Sequence, residues 1–188
     1  MLKNYPKEIF AKDGTPILIR PAAKEDQDEL HHFISRIPEE ERWFIRADMT
    51  DPEVMHDFIE SLDHGRTIAI VAVDETNRRI VGSVRLLLRF SECLSHVAHL
   101  QITVDPSFRN QRLGTWMLID AIKLAMDMGL EKLLGEFVSG VEKAAIAAAH
   151  RLGFVEETIL KDYLKDRHGN YRDVVIMVKS LHQDWNDF

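Results

Sequence analysis

Residues 104–118, VDPSFRNQRLGTWML, constrain the fold of this chain more than any other stretch. An apolar run over residues 99–104 leads into a polar, basic loop, and an apolar segment with helical spacing begins after Gly114. The pattern predicts a strand, a turn and the N-terminus of a helix. Unpaired N–H groups and the partial positive charge of such a terminus attract phosphate. Arg109 and Arg112 can strengthen that attraction, because guanidinium pairs with phosphate in bidentate geometry.

The composition predicts one soluble domain over residues 1–188. A chain of 188 residues with 45% hydrophobic content can bury a full core. No apolar run has the length of a signal peptide or a membrane span, so we expect a cytoplasmic protein without membrane contact. The lone Cys93 excludes an internal disulfide and any multi-cysteine metal site, and we expect no metal. A net charge of −7 argues against a nucleic-acid partner.

The order of predicted elements indicates an α/β architecture. Alternation and β-branched content predict strands over residues 15–20, 67–73, 79–90, 96–104, 132–138, 154–164 and 171–179. Helical spacing predicts helices over residues 24–36, 38–46, from 52 onward, from 115 to 128 and over 142–152. Strands are contiguous at first and then alternate with helices, which favours a layered sheet covered by helices.

These residues resemble a known family. Residues 104–118 are similar to motif A of the GNAT superfamily of acyl-CoA-dependent N-acyltransferases, V-x-P-x-x-[RQ]-x-x-G-x-[GA]-x-x-L, with matches at Val104, Pro106, Arg109, Gly114 and Met117-Leu118. The element order follows the GNAT order over about residues 15–180, leaving a tail at 181–188. ILIRPAAKEDQDEL and IVGSVRL most resemble the acyltransferase domain of bacterial protein-lysine acetyltransferases. The resemblance implies a mixed, mostly antiparallel sheet of about seven strands, with helices on both faces and a fourth strand splayed from the fifth.

The resemblance also implies acetyl-CoA as co-substrate. Backbone groups of the fourth strand would bind the pantetheine arm, and the loop over residues 109–115 would bind the pyrophosphate. Arg112 replaces the first glycine of the motif, so we expect it to adopt a helical conformation and to turn its side chain away or onto a phosphate. The predicted acetyl-CoA-binding residues are Ile102, Thr103, Val104, Arg109, Asn110, Gln111, Arg112, Leu113, Gly114, Thr115 and Glu142, the last standing where relatives often carry asparagine.

His99 is the predicted general base. An amine with a pKa of about 10.4 is neutral in roughly one molecule per few thousand at pH 7, which costs about 4 to 5 kcal/mol. The closest subgroup carries a glutamate here in an Ala-Glu pair, and this chain has Ala98-His99. Imidazole, with a reference pKa of about 6.5, can accept the proton directly or through water. The alternative is a half-buried strand histidine with no catalytic part.

The usual general acid is absent from the sequence. Many relatives carry a tyrosine four residues before the glycine of Gly-Phe, and Ala149 occupies that position here. A thiol with a reference pKa of about 8.5 can leave without strong acid help. Tyr163 can reach the site from the C-terminal hairpin, or it serves only in packing.

The predicted function is transfer of an acetyl group from acetyl-CoA to a primary amine, either a small molecule or a protein lysine. We expect direct attack in a ternary complex, since no credible nucleophile for a covalent intermediate is present. The alternative is a CoA-binding regulatory or sensor module that has lost catalysis, which the residues at Arg112, Ala149 and His99 also fit. A phosphate-binding domain unrelated to CoA is a third reading.

Two further expectations concern partners. Acidic residues cluster in the early helices, where GNAT relatives place the acceptor, and they form either a cation-recognising surface or a solvated face: Glu39, Glu40, Glu41, Asp48 and Asp51. An exposed final strand, with Trp185 and Phe188 in the tail, indicates a homodimer.

Overall fold

The computed structural model describes residues 4–45, 47–63, 65–89 and 91–181. Trp185 and Phe188, on which the expected dimer contact partly rests, lie outside the described residues.

Eight strands form one sheet in the order β1-β2-β3-β4-β5-β6-β8-β7. Their bounds are β1 Lys7–Phe10, β2 Pro16–Pro21, β3 Thr67–Asp74, β4 Arg79–Leu88, β5 Val97–Val104, β6 Lys132–Val138, β7 Val155–Lys165 and β8 Tyr171–Ser180. Neighbouring strands are antiparallel except β5 and β6, which run parallel. The parallel pair needs a long crossover connection, which the helix between these two strands supplies.

Helices cover both faces of the sheet. Their bounds are α1 Gln27–Arg36, α2 Glu39–Arg42, α3 Pro52–Asp63, α4 Leu113–Asp127 and α5 Lys143–Arg151. The apolar sides of α1 and α3 form one core with Val71 and Ile80. The helices α4 and α5 form the other core with Ile70 and Ala72. Because successive strand residues point to opposite faces, these two cores lie on opposite sides of the sheet.

A close contact fixes the position of α4 on the sheet. A Cβ atom added to Gly82 of β4 would lie 2.6 Å from Sδ of Met117, which is far inside normal contact distance. Gly82 is also the register partner of Val104, the last residue of β5. Glycine at this position therefore lets α4 lie directly on the sheet, with its N-terminus beside the end of β5.

The predicted mixed, mostly antiparallel sheet with helices on both faces is confirmed. The sheet has one strand more than the seven expected, because β1 pairs with β2 and extends the sheet to Lys7. This strand has only four residues, KEIF, which is too short for a clear alternating pattern. The helix expected over residues 38–46 is the single turn of α2. The final strand β8 lies between β6 and β7, so the edge strand is β7 and the expectation of an exposed final strand is wrong.

Candidate active site

The parallel strands β5 and β6 separate halfway along their length. Their pairing runs from Val97 opposite Lys132 to Leu100 opposite Gly135, while the two strands continue to Val104 and Val138. A cleft of about 860 Å³ opens at this point. Residues from both faces of β5 line it, because the gap passes through the sheet. The predicted splayed pair is therefore present, as β5 and β6 once the additional first strand is counted.

The N-terminus of α4 forms one end of the cleft. The helix begins at Leu113, and the first intrahelical bond of this end runs from the N–H of Trp116 to the carbonyl of Arg112 at 3.1 Å. The N–H groups of Leu113, Gly114 and Thr115 precede that bond and have no partner within the helix. Such a terminus suits the phosphate groups of a nucleotide cofactor.

Gly114 is a glycine that the packing of the protein does not require. A Cβ atom at this position would meet Cγ2 of Val104 at 3.5 Å, an ordinary van der Waals distance. Gly114 also lies within the cleft lining. A glycine without a packing role, beside free N–H groups, is expected where a ligand approaches the backbone closely.

Arg112 adopts a left-handed conformation, with φ of 66° at the N-cap of α4. The expectation that it is helical is wrong. Asn110, two residues earlier, also has a positive φ of 60°. Two left-handed residues in three tighten the turn so that the chain reverses from β5 into α4. The Arg112 side chain is exposed and lines the cleft.

Arg109 binds a carboxylate in this structure. Its Nη1 and Nη2 atoms donate to Oε1 and Oε2 of Glu41 at 2.9 and 2.6 Å. Both side chains are partly exposed, so the pair contributes about 1 kcal/mol or less. This is the bidentate geometry that guanidinium uses for phosphate. Arg109 can therefore leave Glu41 at a modest free-energy cost and bind a phosphate at the same end of the cleft.

The structure brings most of the predicted cofactor residues together. The cleft is lined by Ile102, Thr103, Val104, Arg109, Asn110, Arg112, Gly114, Thr115 and Glu142. Gln111 and Leu113 lie outside the lining. The side chain of Leu113 is buried in the core, and the carbonyl of Gln111 accepts a hydrogen bond from Lys12 N at 3.2 Å.

His99 lies in the cleft with a carboxylate beside it. The side chain is only 7% exposed, and its Nε2 lies 3.0 Å from Oε1 of Glu136 on β6. His99 pairs in register with Leu134, and Glu136 follows two residues later on the same face. Sequence reasoning missed Glu136, although a lone acidic residue in the apolar strand KLLGEFV was a usable signal.

The position where many relatives carry a tyrosine as general acid is buried in this protein. Ala149 is fully buried in the core and does not line the cleft. Tyr163 does line the cleft, from the bulged part of β7, and is 59% exposed. The end of β7 is held beside the cleft by Trp43, the residue after α2, whose Nε1 donates to the carbonyl of Lys165 at 2.9 Å.

Glu142 lies just before α5, at the N-cap position. Its Oε2 accepts a hydrogen bond of 2.6 Å from the backbone N–H of Val138, at the end of β6. Burial raises the pKa of the Glu142 carboxyl above its ordinary value, more than this hydrogen bond lowers it. The carboxyl thus ties the end of β6 to the start of α5 beside the cleft.

Arg85 of β4 is a second residue that sequence reasoning did not single out. It is the register partner of Gln101 on β5, and both side chains line the cleft. Its guanidinium lies 5.4 Å from the centre of the Phe58 ring, and Nη1 lies 3.7 Å from Sδ of Met49. Removal from water lowers the pKa of Arg85 to about 10, so the group is cationic at pH 7.

The described residues contain neither a cluster suited to a metal ion nor a helix suited to cross a membrane. No group of three or more histidine, cysteine, aspartate or glutamate side chains there is arranged to hold a metal ion. None of the described helices has the length and apolar character needed to cross a membrane.

Comparison with known proteins decides the family. The model of the acetyltransferase (GNAT) family matches residues 24–154, which include the splayed strands and the N-terminus of α4. The chain belongs to the GNAT acetyltransferase family. It is therefore an acetyl-CoA-dependent N-acetyltransferase, as the sequence predicted, with the acceptor left unspecified.

Solved structures of GNAT proteins share the fold of this acetyltransferase. A GNAT acetyltransferase from Streptococcus pneumoniae is 26% identical, with a TM-score of 0.76, over 87% of this chain and 99% of the other. A ribosomal-protein-alanine N-acetyltransferase from Brucella melitensis is 24% identical, with a TM-score of 0.76 and the same coverage. YncA of Salmonella typhimurium, solved with its cofactor acetyl-CoA, is 19% identical, with a TM-score of 0.73, over 90% of this chain and 96% of the other.

Proposed function

We propose that this GNAT acetyltransferase moves the acetyl group of acetyl-CoA to a primary amine by direct attack in a ternary complex, with His99 as the general base. The observation that carries the proposal is the contact of 3.0 Å between His99 and Glu136 in the cleft between the splayed strands. The acceptor amine is a small molecule or a protein lysine.

The surroundings of His99 suit removal of a proton from an ammonium group. The cleft is lined on the α1–α3 side by Ile37, Phe44 and Ile45. Apolar surroundings disfavour the charged form of an amine, which reduces the cost of deprotonation. Glu136 can hold the imidazole ring in one orientation and stabilise the imidazolium that forms when the proton arrives.

The opposite side of the cleft suits acetyl-CoA. Peptide groups of residues 102–104 on β5 lack a partner strand on the β6 side and can bind the pantetheine arm. The N–H groups at the start of α4, with Arg109 and Arg112, can bind the pyrophosphate. The peptide groups of β5, the N–H groups of α4 and the two arginines thus provide binding groups for the pantetheine arm and the pyrophosphate.

Release of CoA requires no side chain at the position of Ala149. A thiol with a reference pKa of about 8.5 is a competent leaving group near neutral pH. Tyr163 remains a candidate donor to the departing sulfur, because it lines the cleft from β7. Its alternative role is to cover the acceptor side of the cleft.

We propose a cytoplasmic location, supported by composition, and a homodimer. The dimer proposal now rests on the edge strand β7, where Val155 and Ile159 are exposed apolar residues. An exposed apolar edge strand favours pairing with another chain. Sedimentation equilibrium with wild-type protein and a Val155→Lys variant tests this, since a dimer through β7 should dissociate in the variant.

The experiment that tests the function has two steps. The purified protein is titrated with acetyl-CoA by calorimetry, and thiol release is then followed over a panel of amines and a lysine peptide. Binding with CoA release, matched by acetylated product in the mass spectrum, is the expected result. Binding without release on any amine would favour the regulatory module instead.

A further inference from the structure

The guanidinium of Arg85 lies inside the acceptor side of the cleft. Arg85 is on the sheet face that α1 and α3 cover, because its ring contact is with Phe58 of α3. Along β5, His99 precedes Gln101, the register partner of Arg85, by two residues. Arg85 and His99 therefore share a face and are separated by about 7 Å along the strand direction.

Within the described part of the chain, no carboxylate lies at ion-pairing distance from Arg85. Its recorded contacts are a thioether sulfur and an aromatic ring, neither of which carries charge. The acidic residues of the cleft lining have other contacts: Glu41 pairs with Arg109, Glu136 contacts His99, and Glu142 binds the N–H of Val138. The partly buried guanidinium thus has no carboxylate among the described residues to balance its charge.

A charge that is partly removed from water is costly without a counter-ion, so a bound anion would stabilise this one. Arginine is suited to that task, because its planar group binds a carboxylate or a phosphonate through two parallel hydrogen bonds.

Three of the acidic residues of the early helices already have partners within the protein. Glu41 is held by Arg109, and Glu39 lies 2.8 Å from Arg167 of the β7–β8 turn. Asp48 accepts hydrogen bonds from the backbone and side chain of Thr50. Arg85 is thus a cation of the cleft lining that no described carboxylate neutralises.

We propose that the acceptor is a small primary amine that also carries an anionic group, a carboxylate or a phosphonate, which Arg85 binds while the amine faces His99. This inference rests on the proposed function, since it names the acceptor of the same cleft. The separation of Arg85 from His99 along the sheet suits a molecule in which a few bonds divide the amine from the anion. A lysine within a protein chain has no such group.

Matched acceptors test the proposal with the wild-type enzyme. Rates of CoA release are compared for leucine and leucinamide, for β-alanine and its amide, for 2-aminoethylphosphonate, for putrescine and for a lysine peptide with blocked termini. We expect kcat/KM for an acid to exceed that for its amide by about 10- to 100-fold, the range of one charged hydrogen-bonded contact. The phosphonate distinguishes the two anions. Equal rates within a pair, or a preference for putrescine or the peptide, would overturn the proposal.

Variants of Arg85 test whether this side chain causes the preference for an acid over its amide. The Arg85→Gln variant should lower the ratio of acid to amide towards one, and Arg85→Lys should keep part of it, because lysine retains the charge but not the paired donors. The Arg89→Gln variant, at an exposed position beyond β4, is the matched control and should keep the full ratio. Calorimetry with acetyl-CoA verifies that each variant is folded. A full ratio in Arg85→Gln would contradict the role of Arg85.

The anion site at Arg85 can still be tested if the protein acetylates no amine. If no amine releases CoA, the proposed function is wrong, and binding of leucine and leucinamide in the presence of CoA is measured by calorimetry. Binding of leucine that disappears in Arg85→Gln would still support an anion site. Absence of leucine binding in the wild-type protein would overturn it independently.

Discussion

His99 of β5 and Glu136 of β6 place an imidazole nitrogen 3.0 Å from a carboxylate oxygen where their two strands stop pairing. The arrangement depends on parallel register, because His99 lies opposite Leu134 and Glu136 is the next residue on that face. It also depends on the separation of the strands, which opens the pair to the cleft.

Replacement of Glu136 should slow acetyl transfer without disturbing the binding of acetyl-CoA. We expect Glu136→Gln to lower kcat about tenfold, because the glutamine cannot stabilise the imidazolium as a carboxylate does. In the double variant with His99→Ala, the rate should match that of His99→Ala alone within about twofold, since the two groups act as one unit. Steady-state rates of thiol release measure both. If the two losses multiply, the residues act separately.

Substitution of Gly114 should separate stability from cofactor affinity. We expect Gly114→Ala to keep or raise the free energy of unfolding, by up to about 1 kcal/mol, because alanine favours the helix and its methyl group meets Val104 at an ordinary distance. The same methyl group obstructs a phosphate at the helix N-terminus, so the Kd of acetyl-CoA should rise about tenfold or more. Urea unfolding and calorimetry measure the two effects. An unchanged Kd would remove Gly114 from the cofactor site.

A variant of the left-handed Arg112 should also change stability and acetyl-CoA affinity in opposite directions. Arg112→Gly should raise the free energy of unfolding by up to about 1 kcal/mol, because a left-handed arginine is strained and glycine is not. Loss of its charge should weaken acetyl-CoA binding about fivefold, the scale of an exposed ionic contact. Arg78→Gly is the matched control, since Arg78 has φ of 53° in the β3–β4 turn outside the cleft. The Arg78→Gly variant should gain stability and keep its affinity for acetyl-CoA.

The buried Asp105 should make stability depend on acid pH. Burial raises the pKa of its carboxyl, but hydrogen bonds from Ser107 and from Nε of Arg36 at 2.8 Å outweigh burial and hold the pKa below its ordinary value. A carboxyl with a lowered folded-state pKa stabilises the fold above its unfolded pKa of about 3.9 and loses that contribution as pH falls through the folded value.

The Asp105→Asn variant therefore should be less stable than wild type by about 1–3 kcal/mol at pH 6–8, the range of a charged hydrogen bond. The difference should shrink below about pH 4. Urea unfolding across this range measures it, with Asp28→Asn at an exposed position of α1 as control. A difference that stays constant down to the lowest accessible pH would show that charge on Asp105 is unimportant.

The pattern of residues within one short stretch was enough to predict much of the site. The strand, the basic turn and the helix after Gly114 follow from spacing within one short stretch, and the structure has β5, the turn and α4 in those places. The helix and strand periods also gave most bounds to within a few residues. Backbone conformation at Arg112 was not predictable, because tight reversal of the chain prevailed over the cost of a left-handed arginine.

Contacts made through strand register could not be predicted from the sequence, although the lone acidic residue of KLLGEFV marked Glu136 as a candidate. Glu136 meets His99 only through the parallel pairing of β5 with β6, and Arg85 meets the cleft only through its pairing with Gln101. Neither contact involves a local pattern. The expectation of an exposed final strand failed for the same reason, since the order of β8 and β7 in the sheet is a matter of topology.

The role of His99 as general base is tested by a single-turnover measurement of acetyl transfer by wild type and His99→Ala, each saturated with acetyl-CoA and with the best acceptor of the panel. We predict a rate lower by about 10²- to 10⁴-fold in His99→Ala, the usual contribution of a general base, with the Kd of acetyl-CoA unchanged within twofold. Transfer at the wild-type rate in His99→Ala would contradict the account and return His99 to the role of a buried strand residue.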